Sequence, residues 1–266
     1  MPHIGAHNDP FDRVDLSGNP GFEEQILLER IDGPYYPAVL DWFFESLKLR
    51  AGDSSVLEVG CGTGQVLDRL AQATDQFTEV VGVDRSDYLA QRAAARFPSY
   101  DIRTANGAAM PFDDDSFDLS FTATVLVHAE DPSAILQEMA RVTRKGGRVA
   151  VLDQDFGSAV VFPGDRDRTR RVMDAATDYW QEGWIGRKLP QLMREAGLDV
   201  TGYSGTVRVD RVFDRPFFER IGQWVVQGGV DSAEVDAWLA ELDAGSATGD
   251  FVFTRNFYSC VGEVRA

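Results

Sequence analysis

Val56-Leu57-Glu58-Val59-Gly60-Cys61-Gly62-Thr63-Gly64 is an apolar run that closes on an acid and then carries glycine at every second position. Asp84 follows twenty residues after Gly64, at the end of a second apolar run, Val80-Val81-Gly82-Val83. A strand, a glycine turn, a helix and a strand capped by an acid make half of a doubly wound α/β sheet. That geometry places a ligand in the crevice at the carboxyl ends of the strands. The glycines let backbone approach the ligand with no Cβ in the way, and the Asp can accept both hydroxyls of a ribose.

Two ligands compete for this arrangement. Dinucleotides use G-x-G-x-x-G and set a pyrophosphate on the helix N-terminus. Here the third glycine comes one residue early, and Glu58 would repel a pyrophosphate while suiting an ammonium group. The E-x-G-x-G-x-G pattern resembles motif I of the class I S-adenosylmethionine-dependent methyltransferases. Asn106-Gly107-Ala108-Ala109-Met110-Pro111-Phe112, with Phe117-Asp118 after it, is similar to the D-A-x-x-L-P-F…F-D run of the small-molecule branch near the ubiquinone and menaquinone biosynthesis enzymes. Val125-Leu126-Val127-His128 with Asp131-Pro132, and Arg141 to Arg148, continue the resemblance over about residues 36–155. One departure stands out: Asn106 replaces the family's Asp. An amide carbonyl can still accept from an adenine amino group.

The resemblance implies a seven-stranded Rossmann-like sheet of order 3-2-1-4-5-7-6 with the last strand antiparallel. It also implies S-adenosylmethionine as cofactor, S-adenosylhomocysteine as product and a small organic acceptor. Glu58 and the turn Gly60, Cys61 and Gly62 would then hold the methionine ammonium, and Asp84 the ribose. Arg85 would pack on the adenine, Asn106, Gly107 and Ala108 would face its edge, and Thr122 would lie beneath the methionine. A NAD-dependent oxidoreductase and a non-catalytic cofactor-binding module are the alternatives.

With 266 residues and 44% hydrophobic content the chain can bury one large core with a small appended lid. No apolar run approaches the ~20 residues a membrane span needs, and no signal sequence is evident. Two cysteines, Cys61 and Cys260, make a disulfide framework a poor expectation. A cytoplasmic protein is expected. Lys and Arg total 26 against 43 Asp and Glu, a formal charge of −17, which argues against nucleic acid or anionic membrane as substrate. No metal site is expected, and self-association is left open.

Along the chain, residues 1–21 read as loop or flexible, rich in Pro, Gly, Asn and Asp, and residues 22–266 as one domain. Helices are expected over 22–31 and 37–49, forming a cap over 22–50, and then over 64–73, 86–97 and 132–143. Asp131 and Pro132 suit the cap and first position of the last. Strands are expected over 55–60, 79–84, 101–105, 117–122 and 148–153. Beyond 155, helices over 166–182 and 186–196 precede a strand over 199–209, which pairs with a last strand over 250–262. Segments 156–196 and 212–246 are the expected acceptor-pocket or lid helices. Asp231 and Glu234 suggest a capping box for one of them.

His128 is the sharpest candidate for a catalytic base, on the loop leading out of the fourth strand. An imidazole ordinarily titrates at about 6.5 and can take a proton near neutrality. The more common use of such a residue is to pack and hydrogen-bond the N-terminus of the following helix. Asp155, just past the fifth strand, is the second catalytic candidate, with an ordinary loop acid as its bland alternative. Tyr35, Tyr36 and Arg30 could contact the methionine carboxylate or the acceptor. Trp180 and Trp184, with Phe217, Phe218 and Trp224, fall in the segments outside the Rossmann-like unit and suggest an apolar or aromatic acceptor, although aromatics at helical spacing more often serve as core.

Overall fold

Consecutive residues of a strand point to opposite faces of its sheet, so an apolar run without alternation needs cover on both sides. The computed structural model, which describes Phe11 and residues 14–33 and 35–265, supplies that cover. Two helices, α1 (Pro20–Ile31) and α2 (Tyr36–Ser46), come first. Then follow β1 (Ser55–Val59), α3 (Gln65–Gln72), β2 (Glu79–Asp84), α4 (Asp87–Arg96), β3 (Asp101–Thr104), β4 (Phe117–Ala123), α5 (Pro132–Val142) and β5 (Thr143–Phe162). The remainder comprises α6 (Arg166–Tyr179), α7 (Ile185–Glu195), β6 (Leu198–Asp210), α8 (Arg215–Gln227), α9 (Ser232–Thr248) and β7 (Val252–Val264).

The strands form one sheet of order β3-β2-β1-β4-β5-β7-β6, the expected arrangement. β1 to β5 run parallel, and β7 lies antiparallel between β5 and β6. Leu57, Val59, Val149 and Val151 face one side, where α5 and α7 bring Leu136, Met139, Leu189 and Met193. Val56, Leu119, Phe121 and Leu152 face the other, where α2 and α3 bring Leu40, Phe43, Leu67 and Leu70. A third core joins α6, α8 and α9 through Val172, Phe218, Trp238 and Leu242 to Phe251 and Phe253 at the start of β7. Burying side chains of this size stabilises by about 1.5–3 kcal/mol each.

The structure departs from the expected boundaries in physically readable ways. β5 continues well past residue 153, because Val160 to Phe162 resume pairing with Thr254 to Val252 after an irregularity beyond Asp155. Val160, Val161 and their partners suit a pleated surface. α6 stops at Tyr179, short of 182. Asp231 does cap α9, but onto Ala233 N. The Glu234 carboxylate does not reach back to complete a capping box and instead pairs with Arg171 on α6. Of the segment expected as loop over 1–21, residues 1–10 and 12–13 lie outside the described residues. Val14 to Leu16 form a 3-10 turn with Val14 buried. Asp15 there accepts from Ser86 Oγ at 2.6 Å and from Asp87 N at 2.9 Å, anchoring the turn to the start of α4. Among the described residues no helix is long and apolar enough to cross a membrane.

The entry to β1 is tied to β4 and β5 by buried charge. Asp118 Oδ2 accepts from the backbone N–H of Ser54 at 2.6 Å and of Ser55 at 2.9 Å. Arg148, only 3% exposed, pairs with the equally buried Asp53 and donates to the carbonyls of Leu47 and Lys48. Removing one member of a buried ion pair leaves the other uncompensated. Asp53→Ala should therefore destabilise by about 3–5 kcal/mol, seen as a lowered urea midpoint. A loss below about 1 kcal/mol, as for an exposed pair, would show that this pair does not hold the junction.

Candidate active site

β1 delivers the chain into a turn that only glycine tolerates. Gly60, Gly62 and Gly64 all take positive φ, +74°, +52° and +80°. A Cβ on Gly60 would also come within 2.4 Å of Val125 Cγ2, on the loop after β4. The N–H groups of Gly60 and Cys61 both donate to the Val83 carbonyl, at 2.8 and 2.9 Å. Gly62 N donates to Asp84 Oδ2 at 2.8 Å, and Ser86 N donates to Asp84 Oδ1 at 2.9 Å. Each carboxylate oxygen of Asp84 therefore holds one backbone donor and keeps a lone pair for a ligand. Burial raises the Asp84 carboxyl pKa, and these two N–H groups pull it partly back.

Glu58 lies behind the turn and is 1% exposed. Its carboxylate takes one backbone N–H, from Leu67 in the first turn of α3, and Oε2 has no partner. Burial pushes its pKa well above the usual carboxylate range, and the neighbouring Asp84 pushes it further. Glu58 lines a lobe of about 50 Å³ together with Arg30, Tyr36, Cys61 and Thr124. A buried carboxylate oxygen with no donor is costly. A cation fits it.

A larger lobe of about 310 Å³ opens beside it, sharing Arg30, Gly60, Gly62 and Thr124. Asp84, Arg85, Asn106, Gly107, Ala108 and His128 line its walls, and Leu89 and Ile135 make them apolar. Asn106 Oδ1 accepts from Ala108 N at 3.0 Å, which folds residues 106–109 into a tight turn. Gly107 is required there, because a Cβ would meet Val59 Cγ1 at 2.8 Å. The residues expected to hold a nucleoside, 84, 85 and 106–108, thus share one wall system, although they come from two separate segments, after β2 and after β3.

On the other flank His128 ends a 3-10 turn, Leu126 to His128, that follows β4. Its ring meets Phe11 at 5.1 Å and the edge of Trp180 at 5.2 Å. Asp153, fully buried at the same strand-end level, accepts from Gln154 N at 2.8 Å and Val127 N at 3.2 Å. Burial pushes its carboxyl up to about 6, while those N–H groups, His128 and Arg30 pull it back. Arg30 donates to Thr124 Oγ1 at 2.7 Å and lies 3.9 Å over the Tyr36 ring. Thr124 itself adopts φ +58°, an uncommon conformation for a β-branched residue. Sequence reasoning missed both Asp153 and Thr124. The signal for Asp153 was an acid closing an apolar run, as at Glu58 and Asp84.

Several sequence-nominated residues fall elsewhere. Asp155 is fully buried outside the lining of both lobes, and Arg187 of α7 holds both its oxygens, Nε at 2.6 Å and Nη2 at 2.8 Å. A carboxylate so engaged is not available as a base. Thr122 turns inward and donates to the Val59 carbonyl at 2.8 Å, stitching β4 to β1 rather than facing a ligand. Tyr36 is buried and lines the smaller lobe. Tyr35 is outside both lobes, beneath Arg208 at 5.2 Å. Trp180 backs His128 and stacks on Phe156 at 4.5 Å. Trp184 is 49% exposed and carries Arg187 over its ring.

Residues 57–151 match the family model described as a methyltransferase domain. Methyltransferase GfsG of Streptomyces halstedii is 31% identical over 168 residues, 59% of this chain and 56% of that protein. A probable S-adenosylmethionine-dependent methyltransferase of Mycolicibacterium smegmatis is 29% identical over 220 residues, covering 79% and 78%. The chain spans about half the length of the first curated relatives it matches. In fold it is similar to a putative methyltransferase from Bacillus halodurans, with a TM-score of 0.60 at 16% identity over 85% of this chain and 99% of that one. Sheet order and glycine turn agree with the methyltransferase domain matched over residues 57–151.

Proposed function

We propose that the protein transfers the methyl group of S-adenosylmethionine to a small organic acceptor. The observation that carries this reading is Glu58, a buried carboxylate with an unpartnered oxygen facing a lobe of the cleft. An amino acid ammonium supplies both the missing charge and the missing donors. Asp84 would hold the ribose hydroxyls with its remaining lone pairs. Arg85, Asn106, Gly107 and Ala108 would enclose the adenine between the apolar walls, and Cys61 and Tyr36 would border the methionine. When bound, the cofactor supplies an electrophilic methyl on a positively charged sulfur.

What the chain must add is position, dryness and, for some acceptors, a place for a proton. His128 is the group for that proton. It lines the larger lobe, and buried Asp153 lies close enough for their charges to interact. A carboxylate there stabilises the imidazolium that forms when the ring takes a proton. The helices over 156–196 and 212–246 wall the acceptor side, with Trp180 nearest to His128. A formal charge of −17 supports a small acceptor over nucleic acid or anionic lipid. Two unpaired cysteines support a cytoplasmic setting.

Three outcomes test this reading. Asp84→Ala should weaken S-adenosylmethionine binding by roughly 1.5–3 kcal/mol, the worth of charged hydrogen bonds. A calorimetric affinity equal to wild type would remove Asp84 from the site.

Glu58 makes the affinity depend on pH with a definite sign. In the free protein its carboxyl holds its proton above the ordinary range, whereas a bound ammonium favours the ionised form. Binding therefore releases a proton, and affinity rises with pH until the free-state pKa is passed. In Glu58→Gln the affinity should fall about 10- to 100-fold and this proton release should vanish. Titrations in buffers of different ionisation enthalpy read it directly.

For an acceptor hydroxyl, His128→Ala should slow turnover by roughly 10²-fold or more with cofactor affinity little changed. The acidic limb of the pH–rate profile should disappear with it. An unchanged limb in the variant would assign the proton to another group, and Asp153 is then the one to replace.

A further inference from the structure

Two buried arginines in this protein have opposite surroundings. Arg148, 3% exposed, has the Asp53 carboxylate and two backbone carbonyls. Arg255 on β7, 6% exposed, has neither. Among the described residues its guanidinium makes no hydrogen bond and no ion pair, and Nε is buried without a partner. Its neighbours are the faces of Phe156, Phe257 and Phe253, at 4.7, 5.4 and 5.9 Å. Rings of this kind attract the charge but accept none of the five N–H groups of the planar fork.

Like charges crowd the same place. Arg208 lies directly opposite Arg255 in the β6–β7 register. Arg30 of α1 is close enough to act on it electrostatically, and burial with these two cations pulls Arg255 down to about 9. The two acids within electrostatic reach are already engaged. Asp210 holds Arg208 Nε at 2.8 Å, and Asp153 takes the N–H groups of Gln154 and Val127. Arg30 has a hydrogen bond to Thr124 and no carboxylate partner among the described residues. In a chain of formal charge −17, two guanidinium forks without a carboxylate partner among the described residues thus lie within electrostatic reach of each other.

Arg255 is in the lining of neither lobe and connects to the His128 flank through a chain of rings. Arg30 lines both lobes. Phe156, under Arg255, stacks on Trp180, and the edge of Trp180 meets His128. From the methyl-transfer end, His128, Trp180, Phe156 and Arg255 follow in that order. We propose that Arg255, with Arg30 beside it, is an anion subsite of the acceptor pocket. The acceptor is then a molecule with an apolar or aromatic body and an anionic group, a carboxylate or a phosphate ester, and its charge supplies what Arg255 lacks. This inference rests on the methyl-transfer reading given above. A planar fork suits either anion through paired N–H···O bonds.

The test uses the full chain and begins with S-adenosylhomocysteine titrated by calorimetry. The wild type, free and saturated with S-adenosylhomocysteine, is then titrated at constant ionic strength with inorganic phosphate, with benzoate and with neutral benzamide. We expect phosphate or benzoate to bind, and benzamide to bind at least about tenfold more weakly than benzoate, since a charged hydrogen bond is worth that factor or more. Whichever anion binds tells a phosphate group from a carboxylate. Arg255→Met should lose that binding by about tenfold or more and keep the wild-type affinity for S-adenosylhomocysteine. It should also melt, without ligand, no lower than the wild type, because it removes an uncompensated buried charge. Three results would overturn the proposal: no anion binding by the wild type, equal binding in Arg255→Met, or an Arg255→Met chain that does not fold. Failure of the wild type to bind S-adenosylhomocysteine strikes the methyl-transfer reading instead. The anion titrations on the free protein tell the two failures apart.

Discussion

Asp84 accepts one N–H from Gly62 and one from Ser86, and the rest of the cleft is arranged around that carboxylate. The first bond fixes the glycine turn after β1, and the second fixes the start of α4 after β2. Because Asp15 also binds Ser86 and Asp87, the N-terminal turn is held to the same point. Two strand-end turns thus meet at Asp84, and the N-terminal turn joins them through Ser86. A carboxylate suits this task because it accepts from several donors at once. The cost is burial of its charge, which the raised pKa of Asp84 records.

That half of the site was legible in the sequence because its signals are local. Glycine spacing, an acid at each strand end and an Asp-Pro helix start are each decided within a few residues by backbone sterics and capping. The sheet order was implied by the family resemblance that those motifs carry. Asn106 was read as an adenine contact, and the structure adds that its carbonyl already closes the turn onto Ala108. Tertiary bonds of this kind leave no trace in spacing.

The acceptor half was legible only in outline, and Asp153 and Asp155 show why. Both close the same apolar run, two residues apart, and both side chains leave the same face of β5. What separates them is the neighbour at each level. Asp153 meets the loop after β4 and comes under the influence of His128, whereas Asp155 meets Arg187 on α7. Which helix covers which turn of a strand is a property of packing. Thr122 and Thr124 repeat the lesson: the first is spent on the Val59 carbonyl, and the second, at positive φ, reaches the cleft with Arg30.

Most buried charges in this chain are compensated from within, as Asp53 is by Arg148 and Asp155 by Arg187. Glu58 and Arg255 lack such compensation: the first is a buried acid with an unpartnered oxygen, the second a buried guanidinium with an unpartnered Nε. Residues retained against their own stability are the ones whose use lies in binding. An ammonium answers the first and an anion the second, so a bound pair of ligands would neutralise both. Each ligand would then stabilise the fold beyond its contact area, because it removes a cost that the free protein carries. On the readings proposed above, the cleft would select its ligands by charge before shape, with Glu58 and Arg255 as the groups that read it.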